Sequence, residues 1–174
     1  MNDKIIEAAY TFLNQKEIPE NAGWQDKSFE AKMISIGWRY GQAWCAYFAE
    51  LVWKYAYADN PFMVQRLDAL FNGSAMKTYS NFKESEFKVD KTPEKGSVVI
   101  WNLFENGEPT WKGHAGIVIN CEGVVLSTIE GNTGNKNQRE GDGVYEKTRL
   151  LDFINKENGL TLVGFIHPLS LCNY

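Results

Sequence analysis

The chain has 174 residues, of which 44% are hydrophobic and 14% aromatic, and its formal net charge is −4. This length and apolar content suffice for one packed core, so we expect a single domain over residues 1–174. The acidic balance, with a pI near 5.3, and the lack of clustered Lys and Arg argue against nucleic-acid binding, which requires neutralisation of phosphates.

The N-terminal segment shows no signal for export. It reads MNDKIIEAAYTFLNQKEIPEN, with an acid at position 3 and frequent polar interruptions, so it lacks the basic and then apolar regions of a signal peptide. No stretch reaches membrane-spanning length, so we expect no membrane insertion. We therefore expect synthesis in the cytoplasm, and a lysis or export route to any target outside it.

The cysteines indicate neither a disulfide framework nor a metal site. Cys45, Cys121 and Cys172 are odd in number and show no C-x-x-C spacing. The chain also lacks the D-x-[DN]-x-[DN]-G ligand series of a calcium loop. We expect a protein made in a reducing compartment that requires no metal or cofactor.

Helical periodicity dominates the first half of the chain. Apolar residues recur at helical spacing over residues 3–15, with Asn2 or Asp3 as the N-cap. The segment FEAKMISIGW then predicts a short helix closed by Gly37. Residues 43–58 are apolar on nearly every face, which is typical of a helix at the centre of a core.

Turn signals divide the chain after residue 58. Asn60-Pro61 precedes a short helical pattern over residues 64–71, and Gly73-Ser74 predicts a C-cap glycine and then a new N-cap. After Pro93 the chain changes to β-branched and aromatic runs separated by Gly and Asn turns: GSVVIW, GHAGIVI, GVVLSTIEG, DGVYEKTR and LTLVGFIHP. Helices succeeded by a meander of strands predict an α+β fold with an antiparallel sheet.

Cys45 is the candidate nucleophile. The helix start falls near residues 42–44, so the thiol would lie in the first turn, where free backbone N–H groups lower its pKa and can bind an oxyanion. The alternative is that Cys45 is a small buried hydrophobic residue.

The base must be one of two histidines. His114 starts a strand and has glycines at positions 113 and 116, which leaves it sterically accessible. We expect His167, next to Pro168 at the end of the last strand, to be a surface or turn histidine.

Glu130 is the candidate orienting group for that base. A three-residue hairpin loop with Gly123 in the left-handed conformation would place Glu130 directly opposite His114, whereas a two-residue loop would turn the acid to the other face. Asn132 would point the same way. We also expect the Cys45 helix to pack its first turn on the sheet face that carries His114 and Glu130. The alternative for this segment is an ordinary polar turn.

The segments WCAYF, KGHAGIVI and TIEGNTG, in this order, resemble the CHAP family of cysteine- and histidine-dependent amidohydrolases and peptidases that cut peptidoglycan. KEIPENAGW, TPEKGSVVIW and GDGVYEKTR are similar to further segments of that family, so the resemblance covers nearly the whole chain. Two positions depart from it: Ala43 stands where proline is frequent, and Ser97 where the family has aspartate.

The resemblance implies a papain-like fold with helices packed on an antiparallel sheet. It implies Cys45 as nucleophile, His114 as general base and then acid, Glu130 as orienter, and Asn132 in support. It suggests that Gln42 and the backbone N–H of Cys45 form the oxyanion site, beside Trp44. It also implies peptidoglycan as the partner, as for a phage lysin, a virion-associated enzyme or a secreted effector, with a holin, virion or secretion machine for delivery.

Two other functions remain open from the residues alone. The same thiol chemistry serves a peptidase or deamidase that acts on a protein substrate. The aromatic content would also suit a non-catalytic wall-binding module, in which loss of the Cys45 thiol leaves function intact. The order of motifs does not distinguish an N-acetylmuramoyl-L-alanine amidase from a peptide endopeptidase.

Overall fold

The computed structural model describes residues 1–134 and 141–169, so Cys172 lies outside the described residues. These residues form five helices and six strands. The helices are α1 Asn2–Thr11, α2 Lys27–Ser35, α3 Cys45–Ala56, α4 Pro61–Leu70 and α5 Ala75–Lys83; the strands are β1 Val89–Asp90, β2 Val98–Glu105, β3 Glu108–Glu122, β4 Val125–Thr133, β5 Gly143–Leu150 and β6 Gly159–Ile166.

The strands form one antiparallel sheet in the order β1-β6-β2-β3-β4-β5. One face carries Ile100, Ile117 and Ile129, which pack with the helices in the main core. The other face carries a smaller apolar cluster that includes Trp101 and Val118. This confirms the α+β fold, helices packed on a C-terminal antiparallel sheet, and the five predicted strand segments all form. The two-residue strand β1 was not predicted, because it is too short to show a period.

Several helix boundaries follow local capping chemistry. The side chain of Asn60 accepts a hydrogen bond from Met63 N at the start of α4, and that of Ser74 accepts one from Lys77 N at the start of α5. Gly37, with a φ of 102°, follows the end of α2 as predicted.

Other boundary predictions were wrong. Helix α1 ends at Thr11 rather than at residue 15, and Met1, not Asn2 or Asp3, is its N-cap residue. Helix α4 ends at Leu70 in extended backbone, so Gly73 is not its C-cap. The side chain of Asn72 accepts a hydrogen bond from Ser74 N, which makes the connection to α5 an Asx turn.

The β3–β4 hairpin differs from the predicted register in two ways, whose effects on the direction of the β4 side chains cancel. Glu122 pairs with Val125, so the loop has two residues, and its first residue, Gly123, has a φ of 60°. The register then shifts between Val118 and Asn120, because Ile119 is an extra residue on β3, a β-bulge. The two-residue loop turns later β4 residues to the other face, and the bulge turns them back.

His167 is buried, which corrects the expectation of a surface or turn histidine. Its Nδ1 lies 2.9 Å from Ser97 Oγ, and its Nε2 lies 2.8 Å from Asp90 Oδ1. Ser97 is itself fully buried, so this arrangement ties the end of β6 to β1 and to the start of β2 and offers no hydroxyl to a substrate. Among the residues that the structure describes, no helix has the length and apolarity needed to cross a bilayer.

Candidate active site

Cys45 is the first residue of α3, as the sequence predicts, and its side chain is buried. Trp44 is the N-cap residue, and it has no side-chain cap. The first N–H groups of a helix have no partner within the helix, so this end of α3 has donors available for a sulfur anion or a developing oxyanion.

The segment before Cys45 is anchored at two points. The Trp44 backbone N–H donates to Asn132 Oδ1 at 2.8 Å, and the Trp44 indole N–H donates to the carboxylate of Glu17. A Cβ on Gly131 would lie 2.6 Å from both the Trp44 and Phe48 side chains, so only glycine lets β4 approach α3 this closely. Asn132 therefore fixes the backbone that presents the thiol.

His114 and Glu130 are hydrogen-bonded, with 2.9 Å between His114 Nε2 and Glu130 Oε2. They are diagonal rather than directly opposite neighbours, because the two-residue loop and the bulge together shift the register by two positions from the predicted one. Gly116 makes the diagonal contact possible: a Cβ there would lie 2.7 Å from Glu130 Cγ. Nδ1 is then the ring nitrogen that remains for Cys45.

The thiol reaches His114 at the place where β3 and β4 stop pairing. We expected the first turn of α3 to pack on the face that carries His114 and Glu130, but His114 lies opposite Trp101, on the face away from the main core. The β3–β4 ladder ends at Ile117 and Ile129, and the N–H of Ala115 is directed to the Cys45 sulfur. The start of α3 therefore meets β3 beyond the ladder.

Arg149 and Thr128 complete the surroundings of Glu130, which is fully buried. Arg149 donates from Nε and Nη2 to the two carboxylate oxygens at 2.9 and 2.5 Å, and Thr128 Oγ1 donates to Oε1 at 2.6 Å. The Arg149 guanidinium also lies 5.4 Å from the centre of the Trp101 ring. We did not predict Arg149 or Thr128; an arginine ending the strand GDGVYEKTR was the available signal.

These contacts favour a thiolate–imidazolium pair. Burial raises the pKa of the Cys45 thiol, but the charge and hydrogen bond of His114, with the N–H groups of Ala115 and Ala46, bring the pKa below its usual value. Burial lowers the pKa of His114, and the charges and hydrogen bonds of Cys45 and Glu130 raise it well above its usual value.

Glu130 stays ionised in spite of its burial. Burial alone would raise its pKa, but the hydrogen bonds and charges of Arg149 and His114 hold the pKa far below its usual value. Glu130 therefore faces two partners, the His114 imidazole and the Arg149 guanidinium, and Cys45 lies on the far side of His114.

Gln42 is exposed, and its side chain is already engaged. Its Oε1 accepts hydrogen bonds from Arg39 N at 2.9 Å and from Tyr47 Oη at 3.3 Å, which leaves the amide nitrogen as its donor. Its backbone carbonyl accepts from the Trp38 indole at 2.9 Å. The oxyanion role of Gln42 stays a prediction.

Cys45 and His114 lie in a cleft of about 930 Å³. The cleft crosses one end of the sheet, and its lining comes from β6, β2, β3, β4 and β5 in spatial order. It includes Leu160, Leu103, Trp111, Asn132, Lys147 and Arg149. A cleft of this size accommodates a ligand larger than one amino-acid residue.

Comparison with known proteins identifies relatives by sequence and by fold. A family model described as CHAP domain matches residues 36–132, which is more than half of the chain and includes Cys45, His114 and Glu130. No curated protein matches the chain.

A solved structure described as "The crystal structure of Ly7917" is similar, with a TM-score of 0.52 and 15% sequence identity. The alignment covers 97% of this chain and 62% of that chain, so this chain spans under two thirds of the length of that relative. At this identity the likeness shows the fold alone.

Proposed function

Because the chain belongs to the CHAP family, whose members are hydrolases of the amidase or peptidase type and commonly act on peptidoglycan, we propose that it cleaves an amide bond of the cell wall through a Cys45 acyl-enzyme. The observation that supports this most directly is the continuous contact from Cys45 through His114 to Glu130, in which Cys45 and His114 line an open cleft. A nucleophile, a base and an orienting acid in hydrogen-bonded sequence constitute the machinery of acyl transfer.

In this mechanism the Cys45 thiolate attacks the amide carbonyl and the oxygen becomes an oxyanion. In this proposal the backbone N–H of Cys45, at the positive end of α3, stabilises that charge, and Gln42 is the second donor. The His114 imidazolium then gives its Nδ1 proton to the leaving amine, and the neutral ring later takes a proton from the water that hydrolyses the thioester.

Glu130 and Arg149 act on His114 and not on the substrate. Glu130 accepts the Nε2–H of the ring, which directs Nδ1 toward the sulfur and stabilises the imidazolium. Arg149 holds Glu130 by two hydrogen bonds and keeps it ionised. Asn132 fixes the Trp44 backbone next to the nucleophile.

The test is hydrolysis of purified peptidoglycan by the wild type and by Cys45→Ala, with release of soluble fragments as the readout. We expect no activity from Cys45→Ala and full activity from Cys121→Ala, which removes a partly exposed thiol outside the cleft lining. Lysis by Cys45→Ala would eliminate the thiol mechanism. Cleavage of a protein substrate but not of peptidoglycan would favour the peptidase or deamidase alternative.

A wall substrate requires a route out of the cytoplasm. We propose delivery to the wall by a holin, a virion or a secretion machine. Wall lysis in cells that produce the chain only when such a partner is present would support this route.

A further inference from the structure

One end of the cleft is built from the tip of the β2–β3 hairpin and the start of β6, and we call it the hairpin wall: residues 103–106, Trp111 and residues 158–160. Pairing of Leu103 with Leu160 and of Phe104 with Gly159 joins the two parts. The Asn106 backbone N–H also donates to Asn158 Oδ1 at 3.1 Å. The hairpin wall is therefore one connected surface.

Trp111 is the prominent feature of the hairpin wall. Its side chain is 78% exposed, whereas the other five tryptophans of the chain are at most 4% exposed. An exposed indole at the edge of a cleft offers a ligand both a large apolar face and an N–H donor.

A buried amide holds the backbone on both sides of Trp111. The Asn102 side-chain nitrogen donates to the carbonyls of Thr110 and Lys112, both at 2.8 Å. Thr110 Oγ1 donates to the Leu103 carbonyl at 2.8 Å. The β2–β3 register is irregular between Asn102 and Phe104, and such bulges redirect a side chain near a site. The exposed ring is therefore carried on a fixed support, as a preorganised ligand contact requires.

We propose that the hairpin wall binds a sugar ring of the glycan strand, with Trp111 stacked on the apolar C–H face of the ring and the amides of Asn106 and Asn158 facing its hydroxyl or N-acetyl groups. An apolar surface with a few fixed polar groups suits a pyranose, which has the same combination. This inference rests on the proposed function and specifies which part of peptidoglycan lies on this side of Cys45.

The position of Trp111 also selects the bond. Trp111 precedes His114 by three residues, which span at most about 10 Å, and this leaves room for the ring bound at Trp111 and little more. Each stem residue between that sugar and the cut bond would add up to about 3.5 Å. The amide that reaches Cys45 is then the one between the muramic acid lactyl group and L-alanine.

The reaction at that bond balances without a further reactant. The Cys45 sulfur bonds to the lactyl carbonyl carbon, the C–N bond to L-alanine breaks, and the His114 proton goes to the leaving amine. Water then adds its oxygen to the acyl carbon and gives a proton to His114, which restores the thiolate and imidazolium and leaves a carboxylic acid on the sugar.

Binding is tested first, with ¹⁵N-labelled Cys45→Ala and a tetramer of N-acetylglucosamine as the probe. We expect one indole N–H signal to shift with saccharide, and the same signal to be missing in Cys45→Ala/Trp111→Phe. If the indole signals do not move at millimolar saccharide, or if another tryptophan signal moves instead, the sugar site is not at Trp111.

Turnover is tested with two substrates, a muramoyl-peptide and the same stem peptide carrying only a D-lactyl group on L-alanine, which keeps the amide to be cut and lacks the sugar ring. Trp111→Ala should lower kcat/KM for the muramoyl-peptide by about tenfold, as loss of an aromatic anchor does, and Trp111→Phe should recover part of it. Phe62→Ala, which removes an aromatic ring that is 75% exposed on α4, is the matched control and should change nothing.

The products separate this inference from the proposed function. Digestion of purified peptidoglycan by the wild type should create new amino termini of L-alanine. Efficient digestion with other new termini, or equal effects of Trp111→Ala on both substrates, overturns the inference and leaves the thiol mechanism standing. Activity retained by Cys45→Ala overturns the proposed function itself.

Discussion

Replacing Arg149 by Met removes the cation that shares two hydrogen bonds with Glu130. Glu130 is fully buried, so the carboxylate would keep its charge without its main partner. Breaking a buried pair by removing one member costs about 3–5 kcal/mol, and because His114 still faces Glu130 we expect the lower end, about 3 kcal/mol. That corresponds to a change of roughly a hundredfold in the folding equilibrium.

The chain contains a matched control on its surface. Arg66 binds Glu86 with the same two-bond geometry, at 2.8 and 2.6 Å, but these side chains are 38% and 48% exposed. Water replaces a lost partner there, so Arg66→Met should change stability far less than Arg149→Met. The comparison isolates burial, because residue type and hydrogen-bond geometry are the same in both pairs.

Urea unfolding followed by tryptophan fluorescence measures both variants, with the slope m as the check that the unfolding transition is unchanged. Glu130→Gln in the Arg149→Met background should recover most of the lost stability, since the uncompensated charge is then gone. A loss in Arg149→Met no larger than in Arg66→Met, or no recovery in the double variant, would refute the reasoning.

The pKa of Cys45 lies below its usual value, so iodoacetamide should alkylate Cys45 faster than Cys121 at pH 7; mass spectrometry of the peptides checks this, and equal rates would contradict it. Gln42→Ala should lower kcat about a hundredfold as an oxyanion donor, and an unchanged kcat would leave only its contacts with Arg39 and Tyr47. Burial raises the pKa of Glu50 to about 7. Relative to Glu50→Gln, the wild type should therefore keep its stability below pH 4.5 and lose up to about 3 kcal/mol as pH rises through 7. Unfolding measured at each pH tests this, and a stability difference that does not change with pH would exclude the shift.

The main features of the site were predictable because they follow from short-range rules. A cysteine after a turn and before an apolar helix indicates a helix start, and a hairpin of two alternating strands predicts that His114 and Glu130 share a face. The hairpin loop was predicted with three residues and has two, yet the two side chains meet. The extra residue Ile119 restores the shared face, and no composition signal distinguishes a bulge from regular strand.

Contacts that depend on the register of separate strands could not be predicted. Arg149 pairs across the sheet with Leu126, and its long side chain extends past Thr128 to reach Glu130. Lys147 lies on the same face of β5, so predicting that Arg149 rather than Lys147 is the partner of Glu130 requires knowledge of the β4–β5 register. The burial of His167 likewise depends on Ser97 and Asp90, which reach it only through the order of β1, β6 and β2.

The bulge at Ile119 constrains how this hairpin can change in length during evolution or engineering. Loss of one residue between His114 and Glu130 would turn every later side chain of β4 to the opposite face of the sheet. Glu130 would then point into the helix-facing core in place of Ile129. Loss of two residues, for example one from the loop together with the bulge residue, would keep Glu130 on its present face. The number of residues between His114 and Glu130 should therefore differ among active relatives by even numbers. A grafted loop should likewise change the length of the hairpin by an even number of residues.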